Sequence, residues 1–279
     1  MAQIGHLVVA SDLTTKTLYA LQRALQLKAE SDCQATVLHV VEHGLTPGIR
    51  ERRQAEAFED LDRWKRSLPE ARQLGLSVHV AVGDPFAVIL KELSDKNSDL
   101  AVVGQPAKHG VKDLFVGTTA ERVIRFSHRP VLVVNQHAHG PYKRVLVAMD
   151  FSQGARRALE CALRIAPDAE MRLVHAWQPP VWGRAADRGD TDAVNRRFKE
   201  QEQHQLEAVI EQVAPIRMLP LEMVEGDACL ALTKAISAFD PDLLAMGTHS
   251  RSPLSATIVG SLAQQLLATA PCDVLVARS

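Results

Sequence analysis

The sequence predicts an α/β protein made of two tandem copies of one unit, each an open five-stranded parallel sheet with helices on both faces. Three observations carry this. First, the chain repeats itself at long range: "VAVGDP" (80–85) returns as "MVEGDA" (223–228), "SDLAVVG" (98–104) as "PDLLAMG" (241–247) and "VLVVN" (131–135) as "VLVAR" (274–278), each 143 residues on. Second, "HLVVASD" from His6 returns as "RVLVAMD" from Arg144, 138 residues on, so the repeat is a whole domain and not a solenoid module. Third, short valine-rich runs alternate with helical patterns, the mark of parallel strands buried on both faces and joined by right-handed crossovers.

Each element follows in order. "LVVAS" forms the first strand and ends at Asp12; "TTKTLYALQRALQLKAE" then places Leu18, Leu21, Leu25 and Ala29 at helical spacing. "TVLHVV" is the second strand, and the charged "GIRERRQAEAFEDLDRWKRSLPEA" reads as an amphipathic helix with a solvated face, its leading loop a candidate lid. "VHVAV", "DLAVVG" and "PVLVV" complete the five strands, with "AVILKELSDKN" and "TAERVIRFS" as the intervening helices. Unit one spans 1–139 and unit two 142–279, with Gly140-Pro141 at the centre of a turn-rich connector. Unit two repeats the series, its long charged helix lying in "RGDTDAVNRRFKEQEQHQLEAVIEQV".

Composition bounds the function. Acidic and basic residues are interspersed, with a formal net charge of −1, so no basic stripe points to nucleic acid and no basic amphipathic segment to a membrane surface. The apolar runs fall far short of the ~20 residues that span a bilayer. "MAQIGHLVVASD" reads as a first strand, not a signal peptide. Cys33, Cys161, Cys229 and Cys272 form no C-x-x-C pair, which argues against a zinc knuckle or redox motif and fits buried thiols in a reducing cytoplasm.

In an open α/β sheet a ligand sits beyond the carboxyl ends of the strands, where strand order reverses. Asp12 and Asp150 end the first strands, Gly104 and Gly247 the fourth, and Gly117-Thr118-Thr119 and Gly260-Ser261 precede helices. A helix N-terminus offers unpaired N–H groups and partial positive charge, which suits phosphate, and hydroxyls can donate to its oxygens. The aspartates can accept from a base or ribose, or cap the helices they precede. Lys108, His109 and Lys112 in unit one, and His249 and Arg251 in unit two, are loop cations within reach of a phosphate or simply solvated. His39 and His175 hold equivalent places on the second strands and read as satisfied core histidines or as hydrogen-bonding groups inside the site. Neither the P-loop nor the G-x-G-x-x-G fingerprint occurs.

The strand-ending aspartates, "VVGQPAKHGVKDLFVGTTAERVI", "AMGTHSRSPLSATIVGSLAQQLL" and the closing "PVLVV" and "DVLVA" resemble the universal stress proteins, in their tandem form, over nearly the whole chain. The resemblance implies two Rossmann-like domains of the adenine nucleotide alpha hydrolase type. The nucleotide-binding branch carries G-x-x-G-x(9)-G-[ST]. Unit one keeps the spacing with Gly104, Ala107 and Gly117-Thr118; unit two has Gly247, Ser250 and Gly260-Ser261. The middle glycine is lost in both, and a Cβ there crowds a phosphate. Serine is the milder replacement, so unit two ranks ahead. By resemblance its site comprises Asp150, Ala176, Met246, Gly247, Ser250, Gly260, Ser261 and Leu262, with Trp177 beside the base; that of unit one comprises Asp12, Val41, Val103, Gly104, Ala107, Gly117, Thr118 and Thr119, with Val40 next to Val41 at the same strand end.

The resemblance implies a stress-response binding protein holding ATP, with magnesium, in at least one cleft. The alternative is a scaffold of the branch that does not bind ATP. No residue is an evident catalytic base, so slow ATP hydrolysis is the most an enzyme reading allows. Because single-unit relatives pair through their last strands, Val131–Val134 is expected to run antiparallel to Val274–Ala277 within this chain, forming a pseudo-dimer, with further homodimerisation open.

Overall fold

The structure, a computed structural model, describes residues 3–68, 71, 74–105, 118–179, 188–248 and 259–279. Unit one runs β1 (His6–Ser11), α1 (Thr15–Ser31), β2 (Gln34–Val41), α2 (Pro47–Ser67), β3 (Ser77–Val82), α3 (Pro85–Asp95), β4 (Leu100–Gly104), α4 (Thr119–Phe126) and β5 (Val131–Val134). Unit two runs β6 (Arg144–Ala148), α5 (Gln153–Ile165), β7 (Glu170–Trp177), α6 (Arg188–Val213), β8 (Leu221–Glu225), α7 (Ala228–Phe239), β9 (Leu243–Gly247), α8 (Ser261–Thr269) and β10 (Asp273–Ala277).

All ten strands join in one sheet, ordered β3-β2-β1-β4-β5-β10-β9-β6-β7-β8. Pairing is parallel within each unit. At the seam β5 and β10 run antiparallel, with Leu132 opposite Leu275. Strand order therefore reverses twice, between β1 and β4 and between β6 and β9.

Alternation along the strands splits the core into two layers. Leu7 and Val9 join α1, α2, α5 and α6 on one face, while Val8 joins α3, α4, α7 and α8 on the other. Each layer runs unbroken across the seam. The charged helix α2 buries only Ala57 and Leu61, as a helix with a solvated face should. The cysteines are all free, and burial pushes the thiols of Cys161 and Cys272 up to about 12, so both act as apolar filler.

Two devices tie strand starts and units together. Asp99, just before β4, accepts from the backbone N–H groups of Gly5 (2.8 Å) and His6 (3.2 Å) at the start of β1. Asp242 repeats this before β9, accepting from Lys143 (2.7 Å) and Arg144 (3.1 Å). The second device occurs once. Asp273 is fully buried and accepts from Tyr142 Oη (2.7 Å), Arg23 Nε (3.2 Å) and the N–H of Asn135 (2.9 Å). Arg23 also donates to the Gly140 carbonyl (2.8 Å) and lies 3.9 Å over the Tyr142 ring. The connector is thereby folded back onto the seam.

Candidate functional site

The site of unit two is assembled by three chain segments at the β6–β9 switch point. The first is the turn after β6. Asp150 Oδ1 accepts from the Ser152 N–H at 2.8 Å, and Ser152 is the N-cap of α5, its hydroxyl accepting from the Ala155 N–H at 3.1 Å. In unit one Asp12 Oδ1 accepts from the Thr14 N–H (2.9 Å), the Thr14 hydroxyl (2.6 Å) and the Thr17 hydroxyl (3.0 Å), and Thr14 is the N-cap of α1. The aspartates are thus not the caps. Each stands two residues earlier and shapes the turn, because a short carboxylate reaches the N–H two residues on.

The second segment is the end of β9. A Cβ on Gly247 would lie 2.8 Å from the Ala155 nitrogen and 3.1 Å from the Gly154 carbonyl carbon. A Cβ on Gly154 would in turn lie 3.2 Å from the Gly247 Cα. The two glycines let the N-terminus of α5 press against the strand end, so Gly247 serves packing before it serves any ligand.

The third segment is the start of α8. Gly260 is its N-cap, with no side chain capping the helix among the described residues, and its own N–H donates to the Thr248 carbonyl at 3.0 Å. Unit one differs: Thr118 is the N-cap of α4, and its hydroxyl accepts from the Glu121 N–H at 3.1 Å. That helix satisfies one of its own orphan donors, while no described side chain caps the first turn of α8, which borders the cleft.

The segments enclose a cleft of 520 Å³ whose walls include Asp150, Ala176, Met246, Gly247, Gly260, Ser261 and Leu262. Every described residue expected in the site of unit two is there; Ser250, His249 and Arg251 lie outside the described residues. The walls also include Trp177, whose indole N–H has no hydrogen-bond partner among the described residues. Phe198 and Glu202 of α6 join them, and sequence reasoning missed both. The signal available was Leu206, fully buried one helical turn after Glu202, which turns that face of α6 inward.

Unit one has a smaller cleft of 320 Å³, walled by Asp12, Val103 and Thr119 among the expected residues. Val41 is a correction. It is buried at 5 % exposure, and Val40 and Glu42 on either side face the cleft instead. Val40 directly follows His39 as Ala176 directly follows His175, so Val40 is the true counterpart of Ala176. Gly104 ends β4 opposite Val134, and Thr118 is engaged as the cap. Ala107, Gly117 and the cations Lys108, His109 and Lys112 lie outside the described residues.

The paired histidines share one geometry. His39 Nδ1 is 2.8 Å from the Ser11 carbonyl, and His175 Nδ1 is 2.8 Å from the Met149 carbonyl, in each case the residue before the strand-ending aspartate. Both rings line their clefts. Among the described residues no three or more His, Cys, Asp or Glu gather to hold a metal ion, and no helix is long and apolar enough to cross a membrane.

Comparison with known proteins agrees with this architecture. A universal stress protein of Methanocaldococcus jannaschii is 28% identical over 138 residues, 47% of this chain and 81% of the relative. One of Thermus aquaticus is 30% identical over 142 residues, 49% of this chain and 99% of the relative. Among solved structures, a universal stress protein from Archaeoglobus fulgidus aligns over 98% of both chains with a TM-score of 0.69 at 20% identity, which speaks to the fold. The universal stress protein family model matches twice, over residues 3–135 and 141–278, and the chain therefore belongs to the universal stress protein family as a tandem member.

Proposed function

We propose that the cleft of unit two binds an adenine nucleotide, ATP with magnesium being the first candidate, and that the protein is a stress-response binding protein and not a catalyst. One observation carries the reading: the described residues expected for the site in unit two converge on a single 520 Å³ cleft that ends at a helix N-terminus with no side-chain cap among the described residues. That volume lies within the roughly 300–1,000 Å³ usual for small-molecule sites. The N–H groups and dipole of α8 suit the phosphates. Magnesium would arrive with those phosphates, since no described acidic cluster holds it independently. Unpaired cysteines, three of them buried, fit a reducing compartment, and the cytoplasm is the proposed location. Any further self-association must use surfaces other than β5 and β10, which the seam consumes.

A scaffold role is the second reading, and a specific observation favours it: Gly247 has a packing reason to be glycine that needs no ligand. Calorimetric titration of the folded, nucleotide-free protein with ATP and magnesium separates the two. The expected result is binding at one site per chain, lost in Gly260→Val. A Cβ there meets the Thr248 carbonyl at 3.0 Å, so melting of the variant must be checked beside wild type. Absence of binding to the folded wild-type protein would leave the scaffold.

A further inference from the structure

We propose that the cavity between the two units is a second ligand site, one that takes an uncharged apolar small molecule. The cavity measures 440 Å³ and shares no described wall residue with either cleft. Leu7, Leu27 and Leu100 of unit one face Leu163 and Ala214 of unit two across it. Leu7 and Leu100 stand near the starts of β1 and β4, so the cavity lies at the opposite end of these strands from the cleft of unit one.

The polar groups on its walls say what the occupant is. Arg164 pairs with Asp99 at 2.7 Å and donates to the Gln3 carbonyl at 2.8 Å. Arg217 donates to the Pro167 carbonyl at 2.7 Å and also to that of Ala169. Glu30 accepts from the Gln26 amide at 2.6 Å, and Ser31 donates to the Leu27 carbonyl at 2.7 Å. The remaining polar side chain on the walls, Gln3, is exposed to water. The charged groups are thus engaged by the protein itself. A charged ligand would exchange its hydration for a wall that offers it no unspent partner, and burying a charge on those terms is costly. An apolar ligand meets no such cost. It gains by leaving water, and the volume lies within the roughly 300–1,000 Å³ usual for small-molecule sites.

A second observation points the same way. Ile216, in the turn between α6 and β8, stands at the mouth of the cavity and is 99 % exposed. A large aliphatic side chain left wholly in water at the lip of an apolar cavity has burial still to gain. An occupant that fills the cavity gives it a surface to fold over, so the turn serves as the lip of the site.

The test uses the whole protein and N-phenyl-1-naphthylamine, a neutral dye whose fluorescence rises in apolar surroundings. Wild type is expected to bind one dye per chain, with the signal unchanged by saturating ATP. Ala214→Phe fills the cavity from α6 and is expected to weaken the dye by about tenfold or more, with melting checked because overfilling can destabilise. Ile216→Ser carries no such risk, because that side chain packs on nothing, and is expected to weaken the dye by about threefold. Leu230→Ser, at an exposed leucine that does not line the cavity, should leave affinity unchanged. Octanol should displace the dye at a concentration about tenfold below that of octanoate, since only the latter brings a charge. Release of the dye by ATP would place it in a nucleotide cleft and overturn the proposal. Unchanged affinity in Ile216→Ser and in folded Ala214→Phe, or octanoate displacing better than octanol, would overturn it as well. So would loss of the dye with rising protein concentration as a dimer forms, because a second chain would then be what covers the mouth.

Discussion

A methyl group at position 247 would have to share space with the backbone of α5, since its nearest neighbours are main-chain atoms of Ala155 and Gly154. Backbone at a helix N-terminus yields less readily than a side-chain tip. Gly247→Ala is therefore expected to cost about 1–3 kcal/mol, read from urea denaturation. Asp99 makes a second prediction at this scale. Burial pushes its carboxyl up, but Arg164 at 2.7 Å and the N–H groups of Gly5 and His6 outweigh that and hold it below its ordinary 3.8. A depressed carboxylate stabilises the fold above its unfolded value, and the contribution is lost as pH falls through the lower folded one. Stability of wild type should thus fall on acidification below about pH 4, and Asp99→Asn should show a shallower acid limb in the same denaturation series.

The two helices that begin at the clefts, α4 and α8, differ in how their first turn is satisfied. Thr118→Ala is expected to cost about 1 kcal/mol, since it removes the side-chain cap of α4. Ser261→Ala should leave stability nearly unchanged, because among the described residues Ser261 does not cap α8, while weakening ATP in titration. The elements themselves were legible in the sequence, since valine runs and their long-range repetition specify two sets of five parallel strands, while the antiparallel pairing at the seam followed from the resemblance to single-unit relatives. Their finer phase was not. β2 is buried on both faces, so its apolar pattern does not say which of Val40 and Val41 lines the cleft. Capping depends on which of several adjacent polar residues adopts the extended N-cap backbone, and Asp12, Thr14, Asp150 and Ser152 are chemically alike in that respect. Glu202 lay hidden in a helix charged on most of its surface, where Leu206 one turn on was the hint that its face turns inward.

Across the molecule, Asp273, Arg23 and Tyr142 hold the halves in register around a connector that would otherwise be a loose turn. Removing one partner strands the other's charge away from water. Asp273→Ala should destabilise the chain by about 3–5 kcal/mol in chemical denaturation, with both halves unfolding together if the seam is the cooperative joint. The node has no pseudo-symmetric copy: the positions matching Arg23 and Asp273, shifted by 138 and 143 residues, are Cys161 and Pro130. The antiparallel joint of β5 and β10 has a further consequence. When two identical chains meet at such a joint, every substitution is made twice, and a change that improves one pocket is imposed on the other. Fusion in a single chain removes that constraint. Each pocket can drift alone while the shared sheet keeps its shape, and assembly of the pair no longer depends on how many copies the cell holds. The 520 Å³ cleft of unit two beside the 320 Å³ cleft of unit one is what such independent drift leaves behind.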